Sequence, residues 1–344
     1  MTSRTILFQA PSRGGSAAGF SLIELMVAVT LGLLLILALA SLLAQQNKAR
    51  AELDKSAAQV ENGRYALSIL QSDIQVAGFY GQFTSTMTAP GSLPDPCEKT
   101  DMTNVNASLA LPLQGYDAPG AVPSPLSGCL ADADHVAGTD ILVVRRLGTN
   151  VAGSFDAKRI YVQTTPDSRV TDRGENSASS FTLLKKDATT LADSRAYVER
   201  IYFVSPCDVF ASGQSTCTAA ADGGTPIPTL KRLELTVVSG ATAFVLTPLV
   251  EGVENMQLDY GVDTEGVGAP AYPYIKAPTV AQWPSVVAVN ISLLVRNPAE
   301  TVGYQDAKTY DLGLADPITA INDGYKRHVY SSGVRVINVS GRKE

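Results

Sequence analysis

Apolar residues fill positions 20–44, FSLIELMVAVTLGLLLILALASLLA, and a single formal charge, Glu24, interrupts them. At about 1.5 Å per residue, roughly 25 residues make about 37 Å of helix, enough to cross a hydrocarbon core of about 30 Å. Beyond Gln45 the pattern turns polar but stays periodic, and no proline falls between positions 20 and 89. Leu53, Ala57, Val60, Leu67, Leu70, Ile74 and Ala77 recur at spacings of three, four or seven, an amphipathic helical stripe. Lys48, Arg50, Glu52, Asp54, Lys55, Glu61 and Asp73 occupy the opposite face. Gly63 weakens such a helix by about 1 kcal/mol relative to alanine, and Gly78 and Gly81 supply a stop. A helix over 20–77 holds roughly 58 residues and runs about 87 Å. The stripe has too few clean heptads for a coiled coil and puts Arg64 on the seam, so its second half is expected to lie against a sheet of the same chain.

Residues 83–140 read as an irregular insert, carrying Pro90, Pro94, Pro96, Pro112, Pro119, Pro123 and Pro125. Short β-branched or aromatic runs follow at 141–146, 159–163, 181–185, 197–204, 230–238, 256–260, 286–295 and 334–339. In LKRLELTVV and AVNISLLV apolar and polar residues alternate, which predicts one inward and one outward face. The expected fold class is α+β: a long N-terminal helix, apolar then amphipathic, packed on a mainly antiparallel sheet. The organisation predicted is a leader over 1–19, a membrane-length helix over 20–44, its amphipathic continuation over 45–80, and a β-rich body over 81–344 that contains the insert. Neither an internal repeat nor a clear linker divides the body.

An ionised carboxylate at bilayer depth costs at least a few kcal/mol, so Glu24 requires a reason. The first nineteen residues carry Arg4 and Arg13 and no acid. Positive charge ahead of an apolar helix keeps that end cytoplasmic and places the remaining 300 or so residues outside. A secretory signal cleaved near Ala38-Leu39-Ala40 has an unusually long apolar stretch and leaves Glu24 inside it. A permanent single-pass anchor also leaves Glu24 unexplained.

Gly19-Phe20-Ser21-Leu22-Ile23-Glu24-Leu25, with an apolar helix behind it, resembles the type III signal of type IV pilin-like proteins. The resemblance implies cleavage between Gly19 and Phe20 by a prepilin peptidase, N-methylation of Phe20, and retention of the helix as a filament core. It further implies that Glu24 neutralises the N-terminal amine of a neighbouring Phe20, since two buried charges are tolerable paired and costly alone. Later blocks, Asn62–Leu67 with Leu70–Phe79, Val250–Asp263, Val289–Arg296 and Lys326–Asn338, resemble the minor pilin PilW family. That family implies a structural role, with no catalysis: a subunit of the priming and tip complex that initiates pilus assembly. The implied partners are other minor pilins, a PilY1-like tip adhesin, the major pilin and the prepilin peptidase. The implied location is the inner membrane, with the body in the periplasm, and then the pilus tip. A J-type pseudopilin of type II secretion is the nearest rival, although such proteins are usually shorter and lack a large proline-rich insert. A tip-binding module acting through residues 83–140 is a further alternative.

Bulk properties narrow the remaining choices. Loss of the two leader arginines leaves 25 basic and 33 acidic residues, a net of −8, so no basic footprint for nucleic acid exists at the level of the whole chain. The local pairs Arg145-Arg146 and Lys185-Lys186 are read as strand-end or solvated residues. Cys97, Cys129, Cys207 and Cys217 allow three disulfide pairings in an oxidising compartment. Cys97–Cys129 and Cys207–Cys217 are preferred because each closes a local loop. Zinc is disfavoured, as no C-x-x-C pair occurs and neither His135 nor His328 is suitably spaced. H-E-x-x-H, G-x-S-x-G and G-x-x-x-x-G-K-[ST] are absent. Asp132, Asp134 and Asp140, and Asp263 with Glu265, do not match a Ca²⁺ loop and are read as solvated turns. Trp283 is expected in the core or at its rim. No cofactor or metal is expected.

Overall fold

The computed structural model describes residues 19–343 except Ala320; the leader expected over 1–18 lies outside the described residues. Helix α1 spans Leu22–Gln75. The chain divides into two compact units, one ending at Asp54 and the other beginning at Lys55, and α1 contributes to both. In the N-terminal unit the helix is long and apolar enough to cross a membrane, and its large apolar side chains from Phe20 to Leu43 are exposed in the single chain.

The second unit begins with the rest of α1 and the short helix α2 (Met102–Ser108). Its first strands are β1 (Leu113–Tyr116), β2 (Ile141–Leu147), β3 (Ile160–Thr164), β4 (Arg169–Arg173), β5 (Ser194–Ser205), β6 (Thr229–Val238) and β7 (Ala241–Glu251). These seven form one antiparallel sheet in the order β1-β2-β5-β3-β4, and the far half of β5 also pairs with β6, which pairs with β7. Strands β8 (Val253–Val262), β9 (Val286–Arg296) and β12 (Arg327–Arg335) form a second sheet in the order β12-β9-β8. A two-stranded piece, β10 (Thr309–Tyr310) with β11 (Ile318–Thr319), lies between β9 and β12 in sequence. The architecture is α+β.

One apolar core joins helix and sheets. Ala66, Leu70, Ile74 and Ala77 of the helical region pack with Leu142 and Val144 of β2, Tyr202 of β5, and Val289, Ile291 and Leu293 of β9. Full burial of Leu70 alone contributes about 1.5–3 kcal/mol. The buried positions of α1 are Gln59, Gly63, Ala66, Leu70, Asp73 and Ile74, a face rotated from the stripe expected at the near end. Leu53 and Val60 are exposed, and Asp73, expected on the solvated face, is buried. The rotation follows from polar side chains on α1 that reach main-chain carbonyls. Gln59 donates to Val295 O at 2.7 Å and Lys326 O at 2.9 Å, and Asn62 donates to Glu251 O at 3.1 Å.

Residues 83–140 are integrated into this core rather than looped away from it. Asp101 caps α2 by accepting from Thr103 N, and Val105 and Leu109 pack beneath it in a second apolar cluster. Leu126 and Leu130 enter a third cluster with Ile141, Val143, Ile201 and Phe203. Expected strand 181–185 is a loop with one isolated bridge, Leu184 to Leu191. Expected strand 334–339 is the end of β12 followed by a helical turn, Ile337–Ser340. The outward face predicted for 286–295 is covered, because Leu294 packs with Tyr310 and Leu312. In β6 a register shift between Leu230 and Lys231 breaks the alternation and buries both residues.

Candidate functional site

At the start of α1 the chain builds a reciprocal cap. The Glu24 backbone N–H donates to Ser21 Oγ at 3.2 Å, and the Ser21 backbone N–H donates to Glu24 Oε2 at 3.0 Å. This is a capping box, Ser-x-x-Glu, which satisfies two of the amide donors a helix start leaves open. A carboxylate in the first turn also meets the positive end of the helix dipole. Sequence reasoning assigned Glu24 only an intermolecular role, yet the S-L-I-E spacing already carries the signature of this cap. Gly19 and Phe20 precede it, both exposed, with Phe20 at 86 %. Gly19, Phe20 and Glu24 are thus brought together on one short accessible segment.

Within the second unit, Asp73 is the polar anchor of α1. Its Oδ1 accepts from Arg200 Nη1 at 2.9 Å and Arg146 Nε at 3.3 Å, while Oδ2 accepts from the Tyr202 hydroxyl at 2.9 Å. Arg200 continues to Glu234 on β6 at 3.1 Å. One carboxylate on the helix therefore binds both β2 and β5.

A second buried network corrects the reading of Arg145 as solvated. Arg145 is 0 % exposed, and its Nε meets Glu199 Oε2 at 2.5 Å. Its Nη1 donates to Gln114 Oε1 at 2.9 Å, and the Tyr197 hydroxyl donates to Glu199 at 2.6 Å. Burial works to lower the Arg145 pKa, but the Glu199 charge outweighs it and the guanidinium stays firmly protonated. Arg327 of β12 joins Glu254, Asp306 at 3.0 Å and Asp323 at 2.6 Å in a third cluster. Charges that look isolated in sequence are here compensated by partners from distant strands.

The cysteines form two disulfides, Cys97–Cys129 and Cys207–Cys217. The residues considered for metal binding have other duties. Asp140 accepts from Ala118 N at 2.6 Å and Leu258 N at 2.7 Å. Asp132 accepts from Val122 N, and Asp134 from Cys217 N. Asp263 is buried, not a solvated turn residue, and ties the backbone amides of Glu265, Gly266, Val267 and Gly268. His135 is buried and bonded to Thr139. His328 stacks edge-on with Tyr330, and Trp283 is a core residue against Tyr260. Among the described residues no group of three or more His, Cys, Asp or Glu is placed to hold a metal ion. A hollow of about 370 Å³ beside Phe155, Phe181 and Leu191 is lined also by Gln163. The amide of that glutamine is already bonded to Leu183 and Ala192, so it directs no free donor into the hollow.

Residues 216–338 match the family model described as type IV pilus-assembly protein W, PilW. Over these residues, about a third of its length, the chain is similar to that family. The PilW match covers the end of the Cys207–Cys217 loop, β6 to β12 and the turn after β12. Among solved structures, the type IV-like pilin TTHA1219 from Thermus thermophilus aligns over 81 % of this chain and 96 % of its own, at 12 % identity and a TM-score of 0.32. No curated protein sequence matches. The apolar part of α1 fits a membrane anchor by length and composition.

Proposed function

We propose that this protein is a minor pilin that joins the priming and tip complex of a type IV pilus. Prepilin peptidase cuts between Gly19 and Phe20, and the new Phe20 terminus is methylated. The apolar half of α1 then moves from the inner membrane into the filament, with the body in the periplasm and afterwards at the tip. Other minor pilins, the major pilin and a PilY1-like adhesin are the partners. The observation that carries this reading is the placement of Glu24 beside Gly19-Phe20 at the head of an exposed apolar helix, in a chain with a PilW segment.

In the isolated subunit the Glu24 carboxylate caps its own helix. On assembly it exchanges the Ser21 amide for the charged terminus of a neighbour, an interaction worth more in an apolar setting. Glu24→Gln separates the two duties, because glutamine also completes a capping box but carries no charge. The expected result is normal membrane insertion, normal processing and loss of piliation. Full piliation by Glu24→Gln overturns the charge-pairing role. Gly19→Leu should accumulate the uncut precursor, and mature-size protein from that variant overturns the peptidase step. A strain lacking the gene should lose pili and retain protein secretion; the opposite pattern favours a J-type pseudopilin.

A further inference from the structure

Lys231 is a buried lysine that makes no close ion pair. It lies on β6 with 1 % of its surface exposed, and among the described residues it forms no salt bridge within 4.0 Å. Its Nζ instead stands 4.0 Å from Sγ of Cys207 and 4.7 Å from the centre of the Phe210 ring. Burial lowers the Lys231 pKa, and the carboxylates of Asp134, Asp208 and Asp222, farther away, oppose that shift. Two of these carboxylates already bind main-chain amides: Asp134 accepts from Cys217 N, and Asp222 from Asp208, Val209 and Ile227 N. Leaving an ammonium buried and unpaired costs several kcal/mol, so its position needs an anion it can serve.

The Cys207–Cys217 disulfide can supply that anion. Cys207 is fully buried beside Lys231, whereas Cys217 is partly exposed at the other end of a surface loop. The two sulfurs of one bond therefore differ in access and in electrostatics. A neighbouring ammonium lowers a thiol pKa, and a lower leaving-group pKa speeds exchange. The other disulfide lacks this arrangement. Sγ of Cys97 lies 3.2 Å from the carbonyl oxygen of Leu126, which opposes a thiolate there.

We propose that Cys207–Cys217 is a thiol-exchange site, at which a small external thiolate attacks Sγ of Cys217 and Cys207 departs as a thiolate held by Lys231. The incoming thiol gives its proton to solvent and forms a new S–S bond to Cys217. The Cys207–Cys217 bond breaks with its electron pair on Sγ of Cys207. A second equivalent of the thiol, attacking the external sulfur of the mixed disulfide, completes reduction of the pair and is oxidised with the first to a disulfide. The outcome is a loop that opens, or carries a thiol adduct at Cys217, while Cys97–Cys129 stays closed.

Glutathione is a suitable probe. Full-length protein in detergent micelles is exposed to reduced glutathione, quenched with acid and alkylated, and each cysteine is then read by peptide mass spectrometry. Cys207–Cys217 should open at least tenfold faster than Cys97–Cys129, with the glutathione adduct on Cys217. Lys231→Met should slow that opening about tenfold and leave Cys97–Cys129 unchanged, and Lys231→Arg should retain most of the rate. Glutathione on Cys207, earlier opening of Cys97–Cys129, or an unchanged rate in a folded Lys231→Met overturns the proposal. The first two readouts need only the wild-type chain, so they decide even where the variant does not fold.

Discussion

Gly63 of α1 and the ring of Tyr330 of β12 occupy a separation that only a glycine permits. A β-carbon on residue 63 would lie 2.5 Å from Cδ2 and 2.7 Å from Cζ of Tyr330. The ring packs edge-on with His328, at 4.9 Å between centroids. The helix thus carries glycine at a propensity cost of about 1 kcal/mol in exchange for close approach to the sheet. Gly63→Ala should destabilise the body by about 1–3 kcal/mol despite its better helix propensity. In a double-mutant cycle the added Tyr330→Ala change should remove most of that penalty, as measured by urea denaturation in detergent. Additive effects of the two substitutions would show that the contact is not the cause.

Asp73→Asn should cost about 3 kcal/mol, because Arg146 and Arg200 lose a shared carboxylate at a buried position. The sign is opposite to the gain expected from removing an acid on a solvated helix face. Proteolysis around the junction of α1 and β2 should accelerate in the same variant. A stability within 0.5 kcal/mol of wild type, roughly the range of ordinary surface substitutions, would return Asp73 to the solvated class.

Burial pushes the Asp140 carboxyl up to about 7, and the nearby Asp117 and Asp259 add to the rise, while the amides of Ala118 and Leu258 pull the other way. The folded chain therefore holds this proton more tightly than the unfolded chain. The resulting stabilisation is complete below an unfolded pKa of about 3.9 and is lost as pH rises through about 7. Asp140→Asn should flatten the fall of unfolding free energy between those limits, as followed by denaturation at a series of pH values. An identical pH slope in the variant counts against the assignment.

The two disulfides should contribute unequally to stability. Their sequence separations are 32 for Cys97–Cys129 and 10 for Cys207–Cys217. In the chain-entropy description those loops correspond to about 3.7 and about 2.7 kcal/mol. Cys97→Ser with Cys129→Ser should lower the melting temperature more than the equivalent double change at 207 and 217. The reverse order would mean that strain or residual structure outweighs loop length.

How far the sequence could be read depended on whether a feature was local. Strands β2, β3, β5, β6, β8 and β9 announced themselves because each is a short run with β-branched or aromatic residues, bounded by turn residues. Strand β7 did not, since ATAFVLTPLVE carries Pro248 and sits at a sheet edge, where proline is tolerated. The region 83–140 looked like a detached loop because proline counts report broken regularity and say nothing about burial. Its Leu109, Leu111, Leu113 and Leu126 are core residues that no short-range pattern marks as such.

By itself the sequence determined the apolar helix, the position of Glu24 five residues into it, the capping spacing from Ser21, and the α+β composition of the body. These are properties of neighbouring residues, set by hydropathy, backbone propensity and helical geometry. Only the tertiary structure decided which charges are buried: Asp73 and Arg145 read as solvated residues, and no local pattern marked Arg327 or Lys231 as buried. A charge can leave water only where opposite charges, donors or acceptors converge on it, and here those come from strands far away in the chain. Glu199 reaches Arg145, Arg146 and Arg200 reach Asp73, and Glu254 and Asp306 reach Arg327, while Lys231 meets a sulfur.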